Sequence, residues 1–125
     1  MRLVDTSAWI EWFRDTATGK TVRRHVPDFA EWVVPTIVQH ELYKWLLRNV
    51  GKTAADETLA LSNTLIVAPL TTSIATAAAI VSVTRKLSTA DAIIYATAQH
   101  HGADLLTCDA HFKDLEGVVY LAKTA

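Results

Sequence analysis

The chain has 125 residues, of which 50% are hydrophobic, enough for one domain over residues 1–125 and too few for a second. Its 12 basic and 13 acidic side chains give a formal net charge of −1. This balance excludes the broad basic surface of a nonspecific nucleic-acid-binding protein, so any such contact must be local or assisted by metal ions.

The single cysteine, Cys108, excludes an intrachain disulfide and is compatible with the reducing cytoplasm. We expect it to be buried within a strand. No charged segment followed by an apolar one opens the chain, so we expect no secretory signal. The uncharged stretch at 58–84 is broken by Pro69 and by Ser and Thr residues, which predicts a strand plus a helix and no membrane span.

Apolar runs of strand length alternate with helical patterns, which indicates an α/β fold of three layers. We expect a mostly parallel central sheet of about five strands, flanked by helices. The strand runs lie at residues 3–4, 32–34, 65–68, 105–108 and 118–121. The helical patterns lie at residues 7–14, 36–50, 53–64, 74–81 and 88–101, while residues 16–24 predict a loop or a frayed helix start.

Two of the helices begin with the spacing of a capping box, a polar pair three residues apart that bonds to the first free backbone groups. The pairs are Thr36 with Gln39 and Ser88 with Asp91. Gly51 is expected to end the first of these helices.

Four carboxylates fall where such a fold can bring them together: Asp5, Glu41, Asp91 and Asp109. Asp5 and Asp109 close strand runs, and the carboxyl ends of parallel strands form the ligand crevice of an open α/β sheet. Glu41 lies on the flank of the apolar stripe of its helix, where a half-buried carboxylate needs a partner. Capping alone also explains Asp91, although a carboxylate at a helix N-terminus is oriented and ionised as well.

Other kinds of site are disfavoured by spacing. The histidines and the cysteine match no familiar zinc finger or knuckle. The residues concerned are His100, His101, Cys108 and His111. The sequence also has no Gly-x-Ser-x-Gly nucleophile elbow and no glycine-rich phosphate loop. Asp104 begins a strand and is expected at the far end of the sheet, and Asp114 is expected to be a solvated surface residue.

The first helix is apolar almost all round, because Trp9, Trp12 and Phe13 lie on different sides of it. A helix of this kind is either wrapped by the core or covered by another chain. The three aromatic residues are therefore candidates for a partner interface as well as for the core.

Four segments together resemble the PIN-domain ribonucleases, most closely the VapC toxins of prokaryotic toxin–antitoxin pairs. The segments are Leu-Val-Asp-Thr-Ser-Ala at 3–8, Glu41, Ser-Thr-Ala-Asp-Ala-Ile-Ile at 88–94, and Leu-Leu-Thr-Cys-Asp-Ala-His-Phe at 105–112. The resemblance covers nearly the whole chain and implies a PIN-like fold.

By this resemblance, Asp5, Glu41, Asp91 and Asp109 are the catalytic and metal-binding residues of an endoribonuclease. Thr107, Thr6 and Ser7 would support that site. Carboxylate ligands select Mg²⁺ or Mn²⁺. The implied reaction is hydrolysis of an RNA phosphodiester, leaving a 5′-phosphate and a 3′-hydroxyl.

The resemblance also implies partners: an RNA substrate, a VapB-like antitoxin that packs near Trp9 and Trp12, and a second copy of the chain. Candidate contacts to RNA phosphates are long basic side chains, which are equally typical of solvated surface. They are Arg48, Lys44, Lys86 and Lys113.

Two other classes are weighed against the ribonuclease. A receiver-like phosphoacceptor domain needs an aspartate at the end of its third strand, where this chain has Ala68 and Pro69. A catalytically silent PIN-like binding module would be expected to lose acidic residues, and the four carboxylates are all present.

Overall fold

A parallel sheet lies at the centre of the computed structural model, which describes residues 1–124, and within that range it has five strands. They are β1 (Arg2–Val4), β2 (Trp32–Pro35), β3 (Ile66–Ala68), β4 (Asp104–Thr107) and β5 (Val118–Tyr120). Their order in the sheet is β3-β2-β1-β4-β5, and each neighbouring pair is parallel. The predicted three-layer α/β fold is confirmed.

The helices that flank this sheet follow the predicted alternation. They are α1 (Thr6–Phe13), α2 (Ala17–Arg23), α3 (Thr36–Asn49), α4 (Lys52–Ser62), α5 (Thr72–Arg85) and α6 (Thr89–His100). Short 3₁₀ turns precede β2 at Phe29–Glu31 and follow β4 at Ala110–Phe112. None of the helices in the described part of the chain is long and apolar enough to cross a membrane.

The order of the strands places a crevice beside β1. From β1 the chain proceeds outward to β2 and β3, and then crosses to β4 on the other side of β1. Leu3 lies opposite Leu105, and Val4 lies opposite Leu106. Ligands bind at such a switch point, outside the carboxyl ends of the strands. This register brings the residues that follow β1 and β4 side by side.

The amino ends of the same two strands are joined by an ion pair. Nε of Arg2 lies 2.8 Å from Oδ1 of Asp104, and Nη2 donates to Oδ2 at 2.9 Å. Asp104 therefore lies at the far end of the sheet from the crevice, as predicted.

The aromatic residues of α1 divide between the core and the surface. Trp9 is fully buried, and its ring centroid lies 4.8 Å from that of Trp32 on β2. Trp12 is half-buried, while Phe13 is 40% exposed. Of the two alternatives, core or partner interface, the core is the one that holds for Trp9 in the folded chain, because neighbouring residues cover it completely.

The first predicted capping box is wrong. Thr36 is already the first helical residue of α3, so Pro35 takes the capping position without a side-chain bond. Gln39 instead donates from Nε2 to Ser62 Oγ and Asn63 Oδ1, both at 2.9 Å, and ties α3 to the end of α4. Residues 16–24, for which a loop or a frayed helix start was predicted, contain the helix α2, whose N-cap Thr16 accepts a hydrogen bond from the backbone N–H of Gly19 at 3.0 Å.

One of the two bonds of the second capping box is found: Ser88 Oγ accepts a hydrogen bond of 3.4 Å from the backbone N–H of Asp91 at the start of α6. Cys108 is buried as predicted, although it follows β4 and is not inside the strand. Burial raises the pKa of its thiol to about 11, so the thiol is protonated and unreactive near neutral pH.

Candidate functional site

A cleft of about 320 Å³ opens at the carboxyl ends of β1 and β4. It contains the four carboxylates predicted from the sequence together with residues that were not predicted. The lining residues are Asp5, Thr6, Ser7, Ile10, Glu11, Arg14, Glu41, Trp45, Asp91, Ile94, Asp109 and Lys123. The carboxyl ends of β1 and β4 and the facing sides of α1, α3 and α6 therefore converge on a strongly acidic site.

Asp5 forms the floor of the cleft, where only 3% of its surface is exposed. It caps α1: Oδ1 accepts hydrogen bonds from the backbone N–H of Ala8 at 3.0 Å and from Ser7 Oγ at 2.7 Å. Oδ2 accepts a hydrogen bond of 2.6 Å from Thr107 Oγ1. Burial raises the pKa of this carboxyl to about 6, even though all three hydrogen bonds act to lower it.

The hydroxyl groups around Asp5 connect it to the end of β4. Thr107 Oγ1 also accepts a hydrogen bond from the backbone N–H of Asp109 at 2.9 Å. Ser7 Oγ accepts one from the backbone N–H of Cys108 at 3.0 Å. These bonds fix the turn that follows β4, and with it the position of Asp109.

Glu41 is presented by α3 from one side of the cleft. Its Oε1 accepts a hydrogen bond of 2.6 Å from Thr6 Oγ1. Thr6 is therefore the partner that a half-buried glutamate needs, and the bond links the start of α1 to the middle of α3.

Asp91 and Asp109 converge on the ring of His111. Nδ1 of His111 lies 3.3 Å from Asp91 Oδ2 and 3.3 Å from Asp109 Oδ1. Asp109 Oδ1 also accepts a hydrogen bond of 2.9 Å from the backbone N–H of His111. Burial, and then the charge of Asp109, raise the pKa of Asp91. One ligand atom from each of the three residues lies within 4.8 Å of the others, a span that one cation can bridge.

The comparisons with known proteins agree with this geometry. Residues 2–118 match the family model of the PIN domain. The chain belongs to the PIN domain family. No curated protein matches the chain.

Solved structures with the same fold include a toxin and a toxin-antitoxin complex. A toxin-antitoxin complex from Klebsiella pneumoniae has 25% identity and a TM-score of 0.80, covering 95% of this chain and 96% of that one. VapC20 of Mycobacterium tuberculosis, a sarcin-ricin loop cleaving toxin, has 23% identity and a TM-score of 0.77, covering 98% and 100%. FitAcB of Neisseria gonorrhoeae has 21% identity and a TM-score of 0.76, covering 97% of each chain. The resemblance to VapC-type PIN proteins is confirmed.

The donor set of this PIN domain fits a divalent metal ion. Buried or half-buried carboxylates that lie close together repel one another, and a cation that they share removes this repulsion. Oxygen donors of this kind suit hard ions such as Mg²⁺ and Mn²⁺. Burial raises the pKa of Asp5 and of Asp91, and a shared cation would favour their charged forms.

A fifth carboxylate of the cleft was missed in the sequence. Glu11 lies on α1 and is only 5% exposed. Arg14 lies beside it, with 3.8 Å between Nη1 and Glu11 Oε1. Ser7, Glu11 and Arg14 have the spacing i, i+4 and i+7 of one helical face. That periodicity is the signal that would have found the two residues.

His111 and Lys123 were missed for different reasons. His111 follows Asp109 by two positions and was weighed only as part of a zinc site. Lys123 lies beyond β5 in a segment without a repeating pattern, so nothing local in the sequence indicates that it reaches the cleft.

Among the residues that the structure describes, the four basic residues expected to bind RNA do not line the cleft. Lys44 lines a separate groove on α3 with Tyr43 and Leu47. The ammonium group of Lys113 lies 6.0 Å from the ring centre of Tyr120. Arg48 and Lys86 are exposed at the C-terminal ends of α3 and α5.

Proposed function

We propose that the chain is a metal-dependent endoribonuclease and the toxin of a type II toxin–antitoxin pair, acting in the cytoplasm. One observation carries the proposal: the cleft of this PIN domain is lined by Asp5, Glu41, Asp91 and Asp109 together. Paired carboxylates with raised pKa values in a concave site are typical of a functional centre.

In this proposal the carboxylates hold Mg²⁺ or Mn²⁺, with Asp5 and Asp109 as central ligands. Glu41 and Asp91 act as further ligands or orient water. When bound, the ion activates water and neutralises charge on the phosphate that undergoes displacement.

The surrounding hydroxyl groups have a positioning role. Thr107 and Ser7 hold both oxygens of Asp5, and Thr6 holds Glu41. Because the side chains are fixed before a ligand arrives, little ordering remains to be done on binding. Above a pH of about 6, Asp5 is ionised and ready to bind a cation.

The proposal is tested with purified protein, free of antitoxin, incubated with total cellular RNA and Mg²⁺ or Mn²⁺. We expect discrete fragments that disappear with EDTA and in the Asp5→Asn and Asp91→Asn variants. Asp28→Asn is the matched control, because Asp28 is exposed before β2 and makes no side-chain capping bond. It should cleave as the wild type does.

Intact RNA after incubation with folded wild-type protein, under both metals, would refute the ribonuclease and leave a silent binding module. Cleavage that persists in Asp5→Asn would indicate a contaminating nuclease. If the RNA stays intact, calorimetry with Mn²⁺ alone tests the silent module, which keeps its carboxylates and should still bind the ion.

An antitoxin is the partner proposed for the groove between α1, α2 and α4. The groove has a volume of about 500 Å³ and is lined by Trp12, Phe13, Arg23, Glu57, Thr58 and Leu61. Exposed aromatic residues beside opposite charges are typical of binding surfaces. The Klebsiella protein and the VapBC protein of Salmonella typhimurium are likewise found in toxin–antitoxin assemblies.

A second copy of the chain is the partner proposed for α5. Ile80 and Val83 of this helix are 66% and 80% exposed. They lie on the helix that borders a groove of about 440 Å³ formed with α6, and Val83 and four alanines are among the residues that line it. Protruding and recessed apolar surface on one face suits a two-fold interface. The mass in solution should halve when Ile80 and Val83 are both replaced by Glu.

A further inference from the structure

Two basic side chains, Arg14 and Lys123, line the acidic cleft beside its carboxylates. An RNA strand that enters this cleft brings phosphate groups against five negative side chains, because Glu11 lies there as well. With a net charge of −1, the chain has no broad basic surface to offset that repulsion. Local cations therefore matter more here than on a basic nuclease.

Lys123 is held at the cleft by an anchor on each side of it. Before it, the backbone N–H of Leu121 donates to Thr107 O at 2.8 Å and extends the pairing of β5 with β4. After it, the backbone N–H of Thr124 donates to Thr18 Oγ1 at 2.8 Å. Thr18 is buried on α2, and its hydroxyl lies 3.1 Å from that of Thr124. The C-terminal segment is thus fastened across the molecule with its lysine at the site.

Arg14 is fixed at its backbone, while its guanidinium keeps donors available. Its N–H donates to Glu11 O at 3.0 Å, and its C=O accepts a hydrogen bond from Arg23 Nη2 at 2.7 Å. The guanidinium lies 5.8 Å from the ring centre of Trp45, within the range of a cation–π contact. Its distance of 3.8 Å from Glu11 is too long for a hydrogen bond. A planar group held in this way can donate to a phosphate in a forked pair.

We infer that Arg14 and Lys123 bind backbone phosphates of the RNA strand in the cleft, and that the Thr18–Thr124 contact positions Lys123. The inference rests on the proposed ribonuclease function and names the groups that receive its substrate. It assigns the main phosphate contacts to these two residues in place of the four candidates named from the sequence, Arg48, Lys44, Lys86 and Lys113.

The test is the salt dependence of binding to a fluorescein-labelled single-stranded RNA, with Ca²⁺ in place of Mg²⁺. Each lost phosphate contact should lower the slope of log Kd against log salt by about 0.7. We expect this change in Lys123→Gln and in Arg14→Gln, about twice as much in the double variant, and no change in Lys123→Arg. Lys20→Gln is the matched control, because Lys20 is an exposed lysine of α2 outside the cleft.

A Thr18→Val variant tests the positioning role separately. It should weaken RNA binding in the wild type and have no further effect in Lys123→Gln, because the two changes act through one contact. Equal slopes for Lys123→Gln, Arg14→Gln and Lys20→Gln would overturn the inference. If the wild type still cleaves RNA and Asp5→Asn does not, only the inference has failed. A wild type that neither binds nor cleaves RNA refutes both the inference and the proposed function.

Discussion

Thr107 donates a hydrogen bond of 2.6 Å to Asp5, although 102 positions separate the two residues in the chain. The bond joins the end of β4 to the start of α1 inside the core, where Thr107 is fully buried. It also opposes the rise in the pKa of Asp5 that burial causes. This one hydroxyl group therefore links the carboxyl end of β4 to α1, and it also favours the ionised form of Asp5 in the proposed metal site.

Replacing Thr107 with Val should destabilise the protein by about 1–3 kcal/mol, because a buried acceptor and a backbone donor lose their partner together. The acceptor is Oδ2 of Asp5, and the donor is the N–H of Asp109. Urea unfolding at pH 7.5 in EDTA measures the loss. Thr107→Ser keeps the hydroxyl and should recover most of it; equal stability of the Val and Ser variants would show that the hydroxyl contributes nothing.

Replacing Asp5 with Asn should stabilise the metal-free protein near neutral pH. The pKa of Asp5 is raised from 3.8 to about 6 in the folded state, so the folded protein binds the proton more tightly than the unfolded chain does. Stability of the wild type therefore falls as pH rises from about 4 to about 6, by up to about 3 kcal/mol. The stability of the Asn variant should not fall in this way over the same pH range, because asparagine has no carboxyl group to ionise.

Urea unfolding in EDTA at several pH values checks this prediction. The two proteins should be closest in stability near pH 4, and the variant should be the more stable above pH 6. Adding Mn²⁺ should then stabilise the wild type alone, because the ion binds the carboxylate form. A difference between the two proteins that does not depend on pH would contradict the assigned cause.

Much of the site was predictable because it depends on patterns that the sequence carries locally. The apolar runs before Asp5 and Asp109 identify β1 and β4, and parallel strands present their carboxyl ends at one edge. The position of Glu41 follows from the 3.6-residue period of α3. The pairing of these side chains with Thr6 and Thr107 did not follow, since it depends on the register between distant elements.

The errors have the same physical origin. The side chain of Gln39 bonds to residues at the end of α4 and does not cap the N-terminus of its own helix. A rule based on sequence spacing does not predict a contact between two helices. Lys123 lies at the cleft between two long-range contacts, Leu121 with Thr107 and Thr124 with Thr18, which is 106 positions earlier in the chain. The sequence left a loop or a frayed helix start open for residues 16–24, whereas α2 is a helix that packs on α1 through Gly19, where a side chain has no room.

Replacing Gly19 with Ala should destabilise the protein, against the usual preference for alanine inside a helix. A Cβ at this position would lie 2.2 Å from Arg14 O and 2.6 Å from Glu11 O, and both of these atoms belong to the backbone. Relieving the clash requires α1 and α2 to separate, which we expect to cost more than about 2 kcal/mol. Urea unfolding measures this loss of stability. Lys20→Ala, at the next and exposed position, should change stability little; a Gly19→Ala variant as stable as that control would refute the close approach.

Replacing Phe13 with Ala should weaken binding of the cognate antitoxin by about tenfold or more, because an aromatic residue on the proposed groove is removed. Trp12→Ala should act in the same direction and also lower stability, since Trp12 packs against Trp9 and Trp32. Phe29→Ala is the matched control: this residue is 52% exposed and lies outside the groove. Calorimetric titration of folded variants compares them. If the Phe13 and Phe29 variants bind the antitoxin as the wild type does, the groove between α1, α2 and α4 is not its binding surface.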